Sequence, residues 1–369
     1  MNAISGISDN AYGYLAPNTI APAGKLYIQD ITLRDGLHAM QRRYTLEQVR
    51  QIAKALDKAK VDAIEISRGD GLSGSSFHSG FGDHTDWDWI AAAASVVKHA
   101  RLSALLVPGI GTVHDLKRAH DMGVSSVRIA THCTEADVTK QHIEYARHLD
   151  MDVSGLLMMS HMTSPEALAQ QAKLMEEYGA HCVYVADSCG MMTMNDVAAR
   201  SIAYAQILKP ETRFGIYAQH QLSLGVANSI TAVQHGATRV DLSLAGVGAG
   251  AGNTPMEVFI AAADTYGYQH NINLSDLIVA AETLVRPWQN RVLYLDQNSL
   301  NAGSNGLHAD FSHTAKEAAH NHGIDSHSIL SELGRRQIIG GQIDMVTDVA
   351  LELSKRSNQQ VENNSTMSK

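Results

Sequence analysis

Short apolar runs alternate with longer amphipathic stretches along most of the chain, starting at Lys25. The β-prone runs are Leu26–Ile31, Ala63–Ser67, Ser103–Val107, Ser126–Ala130, Val153–Met159, Cys182–Ala186, Arg213–Gln219 and Arg239–Ser243, each of a length suited to a buried strand. Helical periodicity fills the intervals. In Thr45–Ala59, residues Leu46, Val49, Ile52, Ala53 and Leu56 share one face and Thr45 is placed to cap the start. The same pattern marks Asp86–His99, Val113–Met122, Glu135–Leu149, Pro165–Tyr178, Asn195–Ile207, Val226–His235 and Pro255–Tyr266.

Eight β-then-α units within about 245 residues predict an α/β chain folded as a (β/α)8 TIM barrel. A doubly wound sheet is the competing arrangement, but no GxGxxG follows the first run. After the eighth unit the pattern turns purely helical, over Leu274–Leu284, roughly Phe311–His322, Ser326–Leu333 and Ile343–Leu353. This predicts a helical C-terminal extension. The expected organisation is a flexible leader over 1–24, a barrel over 25–270, a helical domain over 271–354 and a disordered polar tail over 355–369.

Composition narrows the partners. The 369 residues carry a formal net charge of -9, with acids and bases interspersed, so no basic stripe is offered to nucleic acid. The apolar runs stop short of a membrane span and the N-terminus lacks a signal pattern, so a cytoplasmic location and no membrane contact are expected. Cys133, Cys182 and Cys189 are odd in number and form no CxxC pair, which suits reduced thiols rather than a disulfide framework.

The candidate chemistry gathers at the C-terminal ends of the predicted strands, where a barrel of this kind places its site. The first run leads into Arg34, Asp35 and His38: a cation to neutralise an anion, a carboxylate to bind metal or orient, and an imidazole to move a proton. Taken alone, the triplet also reads as an ordinary exposed loop. The other ends are polar too: Ser67-Arg68-Gly69-Asp70, Thr131-His132-Cys133, Ser160-His161, Asp187-Ser188-Cys189 and Tyr217-Ala218-Gln219-His220. The glycine-rich loop at 246–252 either presents backbone N–H groups to an anion or is a close-packed turn that needs positive φ.

Several long blocks resemble the 4-hydroxy-2-oxovalerate aldolase family, pyruvate aldolases related to hydroxymethylglutaryl-CoA lyase and isopropylmalate synthase. They are KLYIQDITLRDGLHA, GDGLSGSSF with GFGDHTDW, ATHCTEADVTKQHIEYAR, LSLGVANSI, SLAGVGAGAGNTPMEVFIA and ELGRRQIIGGQIDMVTDVALEL. The resemblance implies a lyase acting on a 4-hydroxy-2-oxo acid, giving pyruvate and an aldehyde. It further implies a divalent metal, usually manganese, at Asp35, with Arg34 steadying the enolate and His38 acting as base. An acylating aldehyde dehydrogenase is the implied partner of the C-terminal helices, and a homo-oligomer is expected.

The chain departs from the family pattern within the expected pocket. Where the family carries His-Ala-His-His-Asn, this chain has Tyr217-Ala218-Gln219-His220-Gln221, so Tyr217 and Gln219 replace the metal-binding histidines. Strand alternation puts Tyr217 and Gln219 on one inward face and His220 on the other. A phenol must lose a proton to bind metal well, and an amide oxygen is a weak donor. Arg68 replaces a histidine before GDGL, and His308 stands where the family has a tyrosine. Arg34, Arg68 and Ser188 are the candidate substrate contacts, with His38 and His308 the candidates for proton transfer. Three readings stay open: a lyase with a weak, unusual or absent metal; a non-catalytic relative serving as scaffold or partner of a dehydrogenase; and an ordinary metal aldolase using Asp35, Tyr217, Gln219 and waters.

Overall fold

The computed structural model describes residues 24–40, 44–74, 83–289, 295–309 and 311–367. Residues 1–23 of the leader expected over 1–24, and residues 75–82 of the stretch that follows GDGL, lie outside them.

Eight parallel strands close into a barrel in chain order. They are β1 (Tyr27–Asp30), β2 (Ala63–Glu65), β3 (Arg101–Leu106), β4 (Val124–His132), β5 (Asp152–Met158), β6 (Cys182–Asp187), β7 (Arg213–Ala218) and β8 (Arg239–Leu242). Closure is made by β1 pairing with β8, from Tyr27 opposite Arg239 to Asp30 opposite Leu242. The helices that follow the strands are α1 (Leu46–Lys58), α2 (Asp86–Ala94), α3 (Val113–Asp121), α4 (Lys140–His148), α5 (Pro165–Glu177), α6 (Met194–Ile207), α7 (Gly225–Gln234) and α8 (Met256–Tyr266). Every predicted strand and helix of the barrel therefore has its counterpart.

Local sequence explains these starts. Thr45 accepts the Gln48 N–H while the Gln48 side chain takes the Thr45 N–H, a reciprocal cap, and Thr85, Thr112 and Thr193 repeat the device. The capped α1 then buries Val49, Ile52, Ala53 and Leu56. Inside the barrel, Ile31, Leu105, Ala130, Leu156, Tyr184 and Tyr217 form a second apolar cluster, stacked as such interiors are.

Beyond the barrel lie α9 (Leu274–Ala280), α10 (Gln297–Ser304), α11 (Phe311–His322), α12 (Ser326–Arg335) and α13 (Met345–Met367). Leu307, Phe311, Ile329, Leu330, Leu333 and Val346 build a separate small core among the later ones. The last helix passes the position where polar composition predicts a disordered tail from 355. Its residues include no proline or glycine, and adding turns to a formed helix costs far less than nucleating one. No described helix is long and apolar enough to cross a membrane.

The C-terminal unit docks onto the barrel mouth. A Cβ added at Gly303 of α10 would lie 2.8 Å from the Gln221 Cβ, and one at Gly306 would lie 3.1 Å from His161 Nε2. The segment carrying His308 is thereby laid across the strand ends.

Candidate active site

The chain turns sharply after β1, and Asp35–Ala39 form a 3-10 turn. This turn folds Arg34 and Asp35 back over the barrel, where both are buried. Arg34 Nε donates to Glu65 Oε1 at 2.6 Å and its Nη1 to Asp35 Oδ1 at 2.7 Å. Its other terminal nitrogen, Nη2, donates to no described residue. The guanidinium lies 5.9 Å from the centroid of the Tyr217 ring.

Below this pair runs a chain of alternating charges. Arg128 Nε donates to Glu65 Oε2 at 2.5 Å and its Nη2 to Glu65 Oε1 at 2.7 Å, while its Nη1 pairs with Asp241. Every member is buried, so each charge depends on its neighbours for compensation. Burial pulls the Arg34 guanidinium down, but Glu65 and Asp35 more than reverse this and hold it charged. Burial likewise pushes Asp35 up, and Arg34, His38, Asn253 and His308 outweigh it, keeping the carboxyl below its usual range. At the far end, burial raises Asp241 to about 6 against the pull of Arg128.

Asp35 is held from both sides. Its second oxygen accepts Asn253 Nδ2 at 2.6 Å. A Cβ at Gly248 would lie 2.3 Å from that same nitrogen and 2.9 Å from Asp35 Oδ2. Of the two readings of the glycine-rich loop, the close-packed turn accounts for this contact: the loop seals the carboxylate and anchors Asn253.

The predicted inward pair also meets. Gln219 Nε2 donates to the Tyr217 hydroxyl at 2.9 Å, and Gln221 Nε2 donates to Gln219 Oε1 at 2.7 Å. His220 points elsewhere, its Nδ1 accepting the Gly225 N–H at the start of α7. His38 packs against Gly69, where an added Cβ would come within 2.8 Å of its Nε2. Both His38 and His308 lie close enough to Asp35 to lower its pKa, and both are partly open.

Two candidates stand apart from this group. Arg68 is buried at the end of β2, where its N–H donates to Asp86 at 2.7 Å and its charge acts on the Asp86 carboxyl. The Ser188 hydroxyl accepts the Met159 N–H at 3.1 Å, a bond that fixes the end of β5. Sequence reasoning missed Glu65, Arg128, Asp241, Gln221 and Asn253. The signal for the first three was a charged residue within an apolar strand, which persists only if it is paired.

This donor set does not suit a divalent cation. Both Asp35 oxygens are engaged, the Gln219 carbonyl is taken by Gln221, and burial with nearby Asp35 pushes the Tyr217 phenol upward, so it stays protonated. Among the described residues, no three His, Cys, Asp or Glu side chains converge as a metal-holding group. Manganese at Asp35, Tyr217 and Gln219, the third of the open readings, is at odds with this arrangement.

Comparison with known proteins places the architecture in context. Residues 25–285 match the HMGL-like family model and residues 293–355 the DmpG-like communication domain. The chain is 50% identical over 333 residues to 4-hydroxy-2-oxovalerate aldolase 2 of Azoarcus sp. (strain BH72), covering 90% of this chain and 97% of that protein. It is 49% identical over 329 residues to 4-hydroxy-2-oxovalerate aldolase of Ralstonia pickettii (strain 12J), covering 89% and 94%. The carboxyl transferase domain of Rhizobium etli pyruvate carboxylase shares the fold, with TM-score 0.73 at 13% identity over 90% of this chain and 60% of that one.

Proposed function

The chain belongs to the 4-hydroxy-2-oxovalerate aldolase family, and from that premise we propose that it is a carbon–carbon lyase, cleaving or forming a 4-hydroxy-2-oxo acid from pyruvate, or a similar 2-oxo acid, and an aldehyde. The observation that carries this reading is Arg34: buried, fixed by Glu65 and Asp35, with no described residue accepting from Nη2. A guanidinium so held presents a donor to a developing enolate at little cost of reorganisation.

In the cleavage direction, His38 takes the proton of the 4-hydroxyl as that oxygen becomes the aldehyde carbonyl. The C3–C4 bond breaks, its electron pair forms the C2–C3 double bond, and negative charge collects on the C2 oxygen beside Arg34. His308, on the Asp35 side of the pocket, returns a proton to C3. Arg68, whose backbone and charge are engaged with Asp86, supports the neighbouring strand end, while Ser188 acts by holding the β5 end. Asp35 orients Arg34 rather than binding a metal.

Incubation of the purified protein with 4-hydroxy-2-oxopentanoate, with pyruvate release followed by NMR, should show cleavage that falls at least about 10²-fold in His38→Gln. Undiminished cleavage by that variant would remove His38 from the role of base.

The match to the DmpG-like communication domain supports an acylating aldehyde dehydrogenase as partner, which would receive the aldehyde directly. Leu300 and Leu351 are exposed on α10 and α13, offering apolar surface for such a contact. Co-elution of the protein with an acylating aldehyde dehydrogenase is the expected outcome in gel filtration; separate elution at micromolar concentrations would count against the partnership.

A further inference from the structure

Resting on the aldolase reading above, we propose that the Tyr217 hydroxyl takes over the charge-stabilising role of a metal, donating a hydrogen bond to the same enolate oxygen that Arg34 holds. Tyr217 lies on the inner face of β7, at the strand's C-terminal end, where barrel sites form. Its ring stands beside the Arg34 guanidinium, 5.9 Å from centroid to Cζ. Both side chains are buried at the same end of the barrel.

The hydrogen-bond direction supplies the rest. Gln219 uses its amide N–H on the phenol oxygen, and its own carbonyl is occupied by Gln221 Nε2. The amide relay thus runs toward Tyr217 and gives its oxygen a hydrogen to accept. The phenol's own proton goes to no described residue; of the charges that act on it, Asp35 already accepts at both oxygens and Arg34 is a donor only. Among the described residues the Tyr217 O–H and the Arg34 Nη2 are each given no acceptor, and an anionic oxygen would supply one to both.

As the C3–C4 bond breaks, its pair becomes the C2–C3 double bond and the carbonyl π pair moves onto the C2 oxygen. Tyr217 and Arg34 each share a hydrogen with that oxygen, and neither transfers it. No co-reactant enters the balance. Preorganised donors in a site that excludes water are worth far more than the same donors in solution.

The test uses the full chain, stripped with a chelator and checked by elemental analysis. Exchange of pyruvate methyl protons in deuterium oxide is followed by NMR with and without added manganese. The wild-type protein should exchange without metal, and manganese should change the rate little. Tyr217→Phe should slow exchange about 10²-fold, while pyruvate binding, read by saturation-transfer NMR, is retained. Exchange that appears only with manganese overturns the proposal and leaves the aldolase reading standing, as does a Tyr217→Phe variant that exchanges at the wild-type rate. Absence of both exchange and 4-hydroxy-2-oxo acid cleavage under every metal condition removes both. The metal arm needs only the wild-type chain, so its outcome is independent of whether the variant folds.

Discussion

Replacing Arg34 by lysine is expected to lower kcat for aldol cleavage about 10³-fold while changing KM much less. Lysine keeps the charge but loses the planar fork. In the native site Nε is spent on Glu65 and Nη1 on Asp35, which fixes the plane of the guanidinium and leaves Nη2 with no described acceptor. A single ammonium cannot satisfy two carboxylates and also present a donor in a fixed direction. It would settle toward Glu65 and Asp35 and leave the enolate oxygen without its strongest partner. Steady-state kinetics measure the effect. A lysine variant within about tenfold of wild-type kcat would show that only charge is required, and Arg34 would lose its place as the directional donor.

Glu65→Gln should destabilise the fold by about 3–5 kcal/mol, the usual cost of breaking a buried ion pair from one side. Glu65 accepts from Arg34 Nε at 2.6 Å and from two nitrogens of Arg128 at 2.5 and 2.7 Å. An amide leaves both guanidinium groups undercompensated, with Asp241 and Asp35 as their remaining anions. Burial pushes the Glu65 carboxyl up, but Arg128 and Arg34 hold it below its usual range, and Asp35 is lowered in the same sense. The unfolded chain therefore binds more protons at acid pH. Their stabilisation is fully present above the unfolded carboxylate values of about 4 and is lost as pH falls through the lower folded ones. Urea unfolding of wild type and variant at pH 7 and pH 4 measures both effects. The variant should be less stable at pH 7 and lose less on acidification; equal stability at pH 7 would mean that the pairing contributes nothing.

The barrel is legible in the sequence because each element states itself locally. Thr45 and Gln48 form their cap within four residues, and the apolar face of α1 is visible in its spacing. Tyr217, Gln219 and His220 can be assigned to opposite faces because strand alternation needs no tertiary information. Pairing is different. Glu65 and Arg128 are 63 residues apart, and Arg128 and Asp241 are 113; only barrel closure makes them neighbours. Asn253 is hidden for a related reason, since its loop shows a need for glycine but not what the glycine makes room for. Arg68 reads as a pocket cation from its place after β2, yet its backbone and charge are engaged with Asp86. Side-chain direction beyond a strand's last residue, Glu65 in β2, is set by the following loop, which alternation does not describe.

The docking of α10 on the loop after β7 has an evolutionary reading. Gly303 rests against Gln221, the outermost member of the amide relay, and the chain then delivers His308 to the neighbourhood of Asp35. The terminal helices are thus not a detachable module. A chimera that borrowed them from a relative would import a foreign wall for the reaction chamber, and substitutions at the end of β7 would be accepted only alongside compatible ones in α10. Gly303 and Gln221 share one contact, so a change at either is felt at once in the amide relay and in the seat of α10.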